Sequence, residues 1–210
     1  MRVYLTEFIG TFFLVLTIGL TVVPNSPLAP LAIGTSLMIM VYMGGHISGA
    51  HYNPAVSLAA VMRGALPGEK LVPYILSQIG GAIAAAWVVK VILGQTFAPV
   101  PSPDTTTIPA LLVEVLFTFA LVLVVLNVAT SKRTEGNSYY GLAIGFTITA
   151  AALAGGGISG GAFNPAVGTG PTLIHALSGA GDWSHLWLYW VGPLTGAVLG
   201  AAVFRIQEPE

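Results

Sequence analysis

The chain has 210 residues, 55% of them hydrophobic and only 7% charged, where soluble domains carry about 25% charged residues; that excludes a soluble protein and reads as an integral membrane one. A net charge of −1 without a block of Lys or Arg excludes the electrostatic footprint of a nucleic-acid binder. The lack of any Cys excludes disulfides, thiolate metal sites and cysteine nucleophiles, and the four His have no ligand spacing, so neither a metal nor a cofactor is expected.

The first apolar run, near residues 4 to 22, follows Arg2 in the manner of a signal peptide. Glu7 interrupts it and no small-x-small cleavage site follows, so the sequence predicts a retained first span and a mature N-terminus. Further runs long enough to cross a bilayer, about 18 residues or more, lie near 30 to 48, 71 to 93, 108 to 130, 139 to 156 and 185 to 205. Two apolar pieces, 54 to 63 and 165 to 177, are too short. Ten residues of helix cover about 15 Å, half of a hydrocarbon core about 30 Å thick. These pieces read as half-helices.

Each half-helix follows a copy of one motif. Residues 44–56 (GGHISGAHYNPAV) and 155–167 (GGGISGGAFNPAV) share the pattern G-G-x-I-S-G-x-x-x-N-P-A-V. Asn is a favoured N-cap and Pro suits the first helical position, so Asn53-Pro54-Ala55 and Asn164-Pro165-Ala166 should each start a helix. Upstream, Gly49, Ala50, His51 and Gly160, Ala162 lie in segments poor in bulk, whose backbone groups can line a narrow space directly.

The repeat extends further. TEFIGTFFLVL with Glu7 parallels VEVLFTFALVL with Glu114, and QIGGAIAAA from Gln78 parallels PLTGAVLGAA from Pro193. Each half therefore holds three spans and a half-helix, as repeats 1–95 and 108–210 of one channel domain, 1–210, joined by a Pro-rich external linker, 96–107. Three is odd, so the second half is inverted in the membrane. Gly192, Gly196 and Gly200 recur every four residues, and Gly80, Gly81 and Ala84 to Ala86 give the corresponding span a small face, which permits close packing in lipid. Trp183, Trp187, Tyr189 and Trp190 read as interfacial anchors.

Arg2, Arg63, Lys70, Lys132, Arg133 and Arg205 fall on one side of this arrangement, and only Lys90 dissents, near a span end. Basic residues favour the cytoplasmic side, so both termini are expected there. The two half-helices then enter from opposite faces and their N-termini meet near the midplane. Each N-terminus carries unpaired N–H groups and roughly half a positive charge. Such a centre could bind an anion, or repel cations while Asn53 and Asn164 donate to a neutral solute. No accompanying counter-charge exists, which favours the second.

Glu7 and Glu114 are ionisable groups inside spans, by default a functional flag. A proton relay is one reading; the other is that each carboxyl caps backbone N–H groups of the adjacent loop, which hydrocarbon cannot satisfy. Their symmetric positions favour capping. His46 and His51 stand where the second copy has Gly157 and Ala162, and either could line a pore or be purely structural. His175 and His185 have no assigned role, and the match of Gly155 to Gly160 to G-x-G-x-x-G lacks the strand–turn–helix context it would need.

With these residues in view, the chain resembles the aquaporin and glycerol-facilitator family, the major intrinsic proteins. The resemblance rests on TEFIGTF, GHISGAHYNPAVS, the Gln78 segment, Glu114, SGGAFNPA with Gly170-Pro171, and the Pro193 segment, which together cover nearly the whole chain. It implies an all-α membrane fold of six transmembrane helices and two re-entrant half-helices, a pore in each protomer, and a homotetramer in the plasma membrane. It puts the central constriction at Asn53 and Asn164 and the outer selectivity filter at Ile33, Ala152, Gly161 and Val167. The family normally has Arg where Val167 stands, and its water-selective members tend to have His where Ala152 stands. The filter is therefore expected to be wide and apolar. The resulting expectation is a passive channel for water or small uncharged solutes such as polyols, ammonia or peroxide, with no covalent chemistry. A coupled transporter using Glu7 or Glu114 is the alternative, and a non-conducting structural protein a third reading.

Overall fold

The structure, a computed structural model, describes residues 1–208; the last two residues of the repeat read as 108–210 lie outside the described residues. Six helices among the described residues are long and apolar enough to cross a membrane: α1 (Arg2–Val22), α2 (Ala29–Ser48), α4 (Leu71–Leu93), α5 (Thr107–Thr130), α6 (Tyr140–Ser159) and α8 (Leu188–Gln207). Between them lie the short helices α3 (Pro54–Arg63) and α7 (Pro165–Leu177). Both start where the Asn-Pro pairs require: Asn53 and Asn164 have extended backbone, and their side chains accept from the N–H of Ala55 and Ala166. Gly64, in the left-handed region at φ 81°, ends α3.

Two boundaries differ from the sequence reading. Helix α6 continues through Gly155–Gly157 to Ser159, because a backbone in hydrocarbon keeps its own hydrogen bonds even where glycine weakens the helix. Helix α8 starts at Leu188, and the residues before it, with Trp183 and Trp187, form turns. Tyr189 is no interfacial anchor: it is fully buried, and its hydroxyl donates to the Ser159 carbonyl at 2.6 Å. Its counterpart Tyr74 donates in the same way to the Ser48 carbonyl at 2.8 Å.

The two repeats pack alike. Helix α4 lies on α1, α8 lies on α5, and α2 meets α6 between the halves. A Cβ on Gly81 would strike the Phe8 carbonyl, and one on Gly196 the equivalent Val115 carbonyl. At the α2–α6 crossing the relation is reciprocal, since Gly34 backs onto the Gly145 carbonyl and Gly145 onto that of Gly34. Apolar helices gain nothing from leaving lipid for one another, so this backbone-to-backbone contact supplies the dispersion that holds the bundle. Gly170 likewise lets α7 rest on the Ala82 backbone of α4.

The segment joining the repeats has no helix before Thr107 but is tied to the bundle. Thr96 is hydrogen-bonded to His175 at 2.8 Å, Phe97 packs against Gly19, and the Ser102 N–H donates to the Ile158 carbonyl at 3.1 Å. Lys90, the dissenting basic residue, lies in the last turn of α4 and donates to Ser178 Oγ at 2.9 Å, at the C-terminus of α7 where a cation complements the helix dipole. At the other end Arg63 lies 5.2 Å from the centre of the Phe204 ring, and Arg205 donates to the Met62 carbonyl.

Candidate functional site

The loops that lead into α3 and α7 are held in a conformation their sequences would not adopt unaided. In the first, Gly49, Ala50 and Tyr52 have φ of 85°, 51° and 50°; in the second, Gly160, Gly161 and Phe163 have 89°, 63° and 50°. Left-handed backbone at Ala, Tyr and Phe is strained and persists only where neighbours impose it. The two buried glutamates do so. Glu7 Oε1 accepts from Ser48 Oγ at 2.6 Å and the His51 N–H at 3.0 Å, while Oε2 accepts from the Tyr52 N–H at 2.7 Å and Gln78 Nε2 at 2.8 Å. Glu114 repeats the pattern with Ser159 Oγ, the Ala162 N–H and the Phe163 N–H at 2.8, 3.0 and 2.6 Å. Both carboxyls thus meet loop N–H groups that, among the described residues, have no other acceptor.

The strained loops turn their last carbonyls across the centre. Asn53 Nδ2 donates to the Phe163 carbonyl and Asn164 Nδ2 to the Tyr52 carbonyl, both at 2.9 Å, so each half-helix cap is tied to the opposite loop. A side-chain amide carries two N–H donors. One is spent on the cross-tie, and each Asn has a second.

A cavity of about 270 Å³ contains this pair in its wall. Its lining includes all four residues of the expected filter, Ile33, Ala152, Gly161 and Val167, together with Ala50, His51, Gly160 and Ala162 from the loops. Pro54, Ala55, Pro165 and Ala166 are buried behind the two Asn and stand outside the lining. His46 and Gly49 do not line it. Helix α2 runs on to Ser48, which puts His46 on an exposed helical face rather than in the loop, and Gly49 is the exposed cap of that helix, with its back to the His51 ring. His51 is held by Ser57 Oγ, 3.1 Å from its Nδ1, and Ser57 is bonded in turn to Gln78 Nε2 at 2.9 Å. The second repeat has Ala162, Gly168 and Pro193 at these places, so this polar bridge exists in one half only.

The rest of the wall was missed from the sequence. Leu14 and Ile18 of α1, Leu37 of α2, Leu121 and Val125 of α5, and Ile144 and Ile148 of α6 line the cavity. They pair under the repeat: Leu14 with Leu121, Ile18 with Val125, Ile33 with Ile144 and Leu37 with Ile148. That correspondence, at four-residue spacing on one helical face, was the signal available. The wall is apolar except at His51, the two Asn amides and the loop backbone.

The profile of the major intrinsic proteins matches residues 1–204. The chain belongs to the major intrinsic protein family. Among curated relatives of this family, aquaporin NIP1-1 of Zea mays is 36% identical over 212 residues, covering 96% of this chain and 73% of that protein. Glycerol uptake facilitator protein-like 6 of Lactiplantibacillus plantarum is 36% identical over 223 residues, covering both chains in full. The X-ray structure of the aquaglyceroporin from Plasmodium falciparum superposes with a TM-score of 0.83 over 97% of this chain and 93% of that one, at 23% identity, and so shares the fold.

For this major intrinsic protein the crossed Asn ties make a direct prediction. Replacing Asn53 and Asn164 together by alanine removes two N-caps, at about 1 kcal/mol each, and leaves the buried Tyr52 and Phe163 carbonyls without their donors. Thermal unfolding in detergent should move down by several degrees and solute flux in vesicles should fall. Unchanged stability and flux would show that neither Asn holds the loops or serves the solute path.

Proposed function

We propose that this chain is a passive channel for water and small uncharged solutes, with a wide apolar outer filter at Ile33, Ala152, Gly161 and Val167. The observation that carries the reading is the cavity itself: it passes both Asn amides, is lined by apolar side chains from both repeats, and has no carboxylate in its wall. A water needs only about 10–15 Å³ of such space, so the volume accommodates a file of them. The relatives named aquaporin and glycerol uptake facilitator support the same class of solute.

Selection in such a channel rests on diameter and on what replaces the solute's hydration. At the centre, Asn53 and Asn164 each offer one N–H to a passing oxygen. The facing N-termini of α3 and α7 present positive dipole ends that oppose cations. At the outer ring, Val167 offers neither charge nor donor, so size sets the limit there. The alternative of a coupled transporter needs a carboxyl that the solute or a proton can reach. Glu7 and Glu114 are both fully buried, and their oxygens accept from fixed donors in the adjacent loops. Gln78, an amide, stands between Glu7 and Ser57.

The positive-inside pattern supports a multi-pass protein with both termini in the cytoplasm, and the family resemblance supports the plasma membrane and a homotetramer with a pore in each protomer. Purified protein in vesicles tests the mechanism: flux should rise linearly with solute concentration and ignore an imposed pH gradient, whereas saturation with counterflow would indicate a transporter. The chain has no Cys, so flux should also be insensitive to mercurials and other thiol reagents. Strong block that a thiol reverses would contradict this.

A further inference from the structure

On α6 the cavity-facing stripe runs Ile144, Ile148, Ala152, Gly156. Along it the side chain shrinks from a branched butyl group to a methyl to nothing. Gly156 adjoins the outer ring, since a Cβ built on Gly161 would lie 2.9 Å from the Gly156 Cα. The three glycines in the cavity wall differ in what they require. Gly160 and Gly161 have φ of 89° and 63°, and a Cβ on Gly160 would come within 2.7 Å of the Val100 backbone. Both are fixed as glycine by conformation and crowding. Gly156 has neither constraint: it is helical, without a left-handed φ, and a Cβ there would meet nothing within 4 Å.

Glycine inside a helix is disfavoured relative to alanine, and no packing contact asks for it at this position. What its missing side chain leaves free is the cavity. We propose that Gly156 is a fifth size-determining position of the channel, and that the bare α6 backbone from Ala152 to Gly156 sets the largest solute admitted. This rests on the reading of the outer ring as a wide size filter. Gly157 provides an internal control. It is equally unobstructed, lies on the same helix, but is exposed and absent from the cavity wall.

The test is a graded series, Gly156→Ala, Gly156→Val and Gly156→Leu, beside the same three changes at Gly157. Each is reconstituted into vesicles and assayed by stopped-flow light scattering for water, urea, glycerol and a five-carbon polyol. The Gly156 series should lose the largest solute first and then glycerol, with the leucine variant down roughly ten- to a hundredfold for glycerol if the steric penalty is that of ordinary overpacking. Water flux in the same vesicles should be largely kept, and the Gly157 series should leave the size limit where it is. If the leucine variant fails to conduct water, the alanine and valine variants decide by whether the limit moves. An unmoved limit at Gly156, or an equal movement at Gly157, overturns the proposal. A wild type that passes nothing but water contradicts the wide filter itself and is told apart before any variant is made.

Discussion

Replacing Glu7 by alanine is expected to abolish assembly of the channel rather than to tune it. The carboxyl collects the Ser48 hydroxyl, the His51 and Tyr52 N–H groups and the Gln78 amide at 2.6 to 3.0 Å. Without it, two backbone donors and two side-chain donors lose their partner inside a fully buried site. Each unsatisfied group costs about 1–3 kcal/mol, so the sum approaches the whole stability of an ordinary domain, about 5–15 kcal/mol. The left-handed backbone at Ala50 and Tyr52 would also lose what imposes it. Glu7→Ala should give little monodisperse protein in detergent and no flux above that of empty vesicles. Glu114→Ala should do the same through Ala162 and Phe163. Glu7→Gln, which keeps one acceptor oxygen but turns an amide toward fixed donors, should be intermediate. A folded, conducting Glu7→Ala channel with normal thermal stability would show that the carboxyl is not the clamp of this loop.

Val167→Arg should have the largest effect on selectivity. Val167 is the third residue of α7 and lines the cavity with only 4% of its surface exposed. An arginine there would fill much of the space between Val167 and the bare α6 wall, and add donors and a fixed positive charge. At about 5 Å and an effective dielectric near 20, that charge opposes a passing cation by roughly 3 kcal/mol, about two powers of ten. The variant should therefore lose glycerol and larger solutes, lose any cation or proton leak, and keep more of its water flux. Parallel stopped-flow for water and a solute series, with a pH-sensitive dye inside the vesicles, reads all three. An unchanged solute profile would mean that the ring at Ile33, Ala152, Gly161 and Val167 does not select.

Much of this arrangement is legible in the residues. The Asn-Pro pairs and the apolar pieces that follow them predict α3 as 54 to 63 and α7 as 165 to 177, and the structure has Pro54–Arg63 and Pro165–Leu177. The symmetric glutamates suggested capping, and the loop N–H groups they meet give that reading its geometry. What stayed hidden was contact between distant residues. Nothing local in the chain says that Asn53 reaches the Phe163 carbonyl, 110 residues on. The cavity-facing sides of α1, α5 and α6 were hidden for a different reason: a span apolar on every face does not distinguish lipid from lumen. His46 could not be decided from the sequence because it stands in both the 30 to 48 run and the repeated motif; the structure keeps it in α2, on an exposed face. Tyr189 looked like an anchor by its neighbours, whereas it and its repeat partner Tyr74 each donate to the carbonyl of the last residue of a helix, α6 and α2.

On this reading, neutral solutes larger than water cross passively through the ring at Ile33, Ala152, Gly161 and Val167. The decisive experiment uses the wild-type protein, purified and reconstituted, in stopped-flow light scattering with water and glycerol in the same vesicles. Glycerol flux should be non-saturating and well above that of protein-free vesicles, alongside water flux. Water conducted while glycerol stays at the protein-free rate would contradict it.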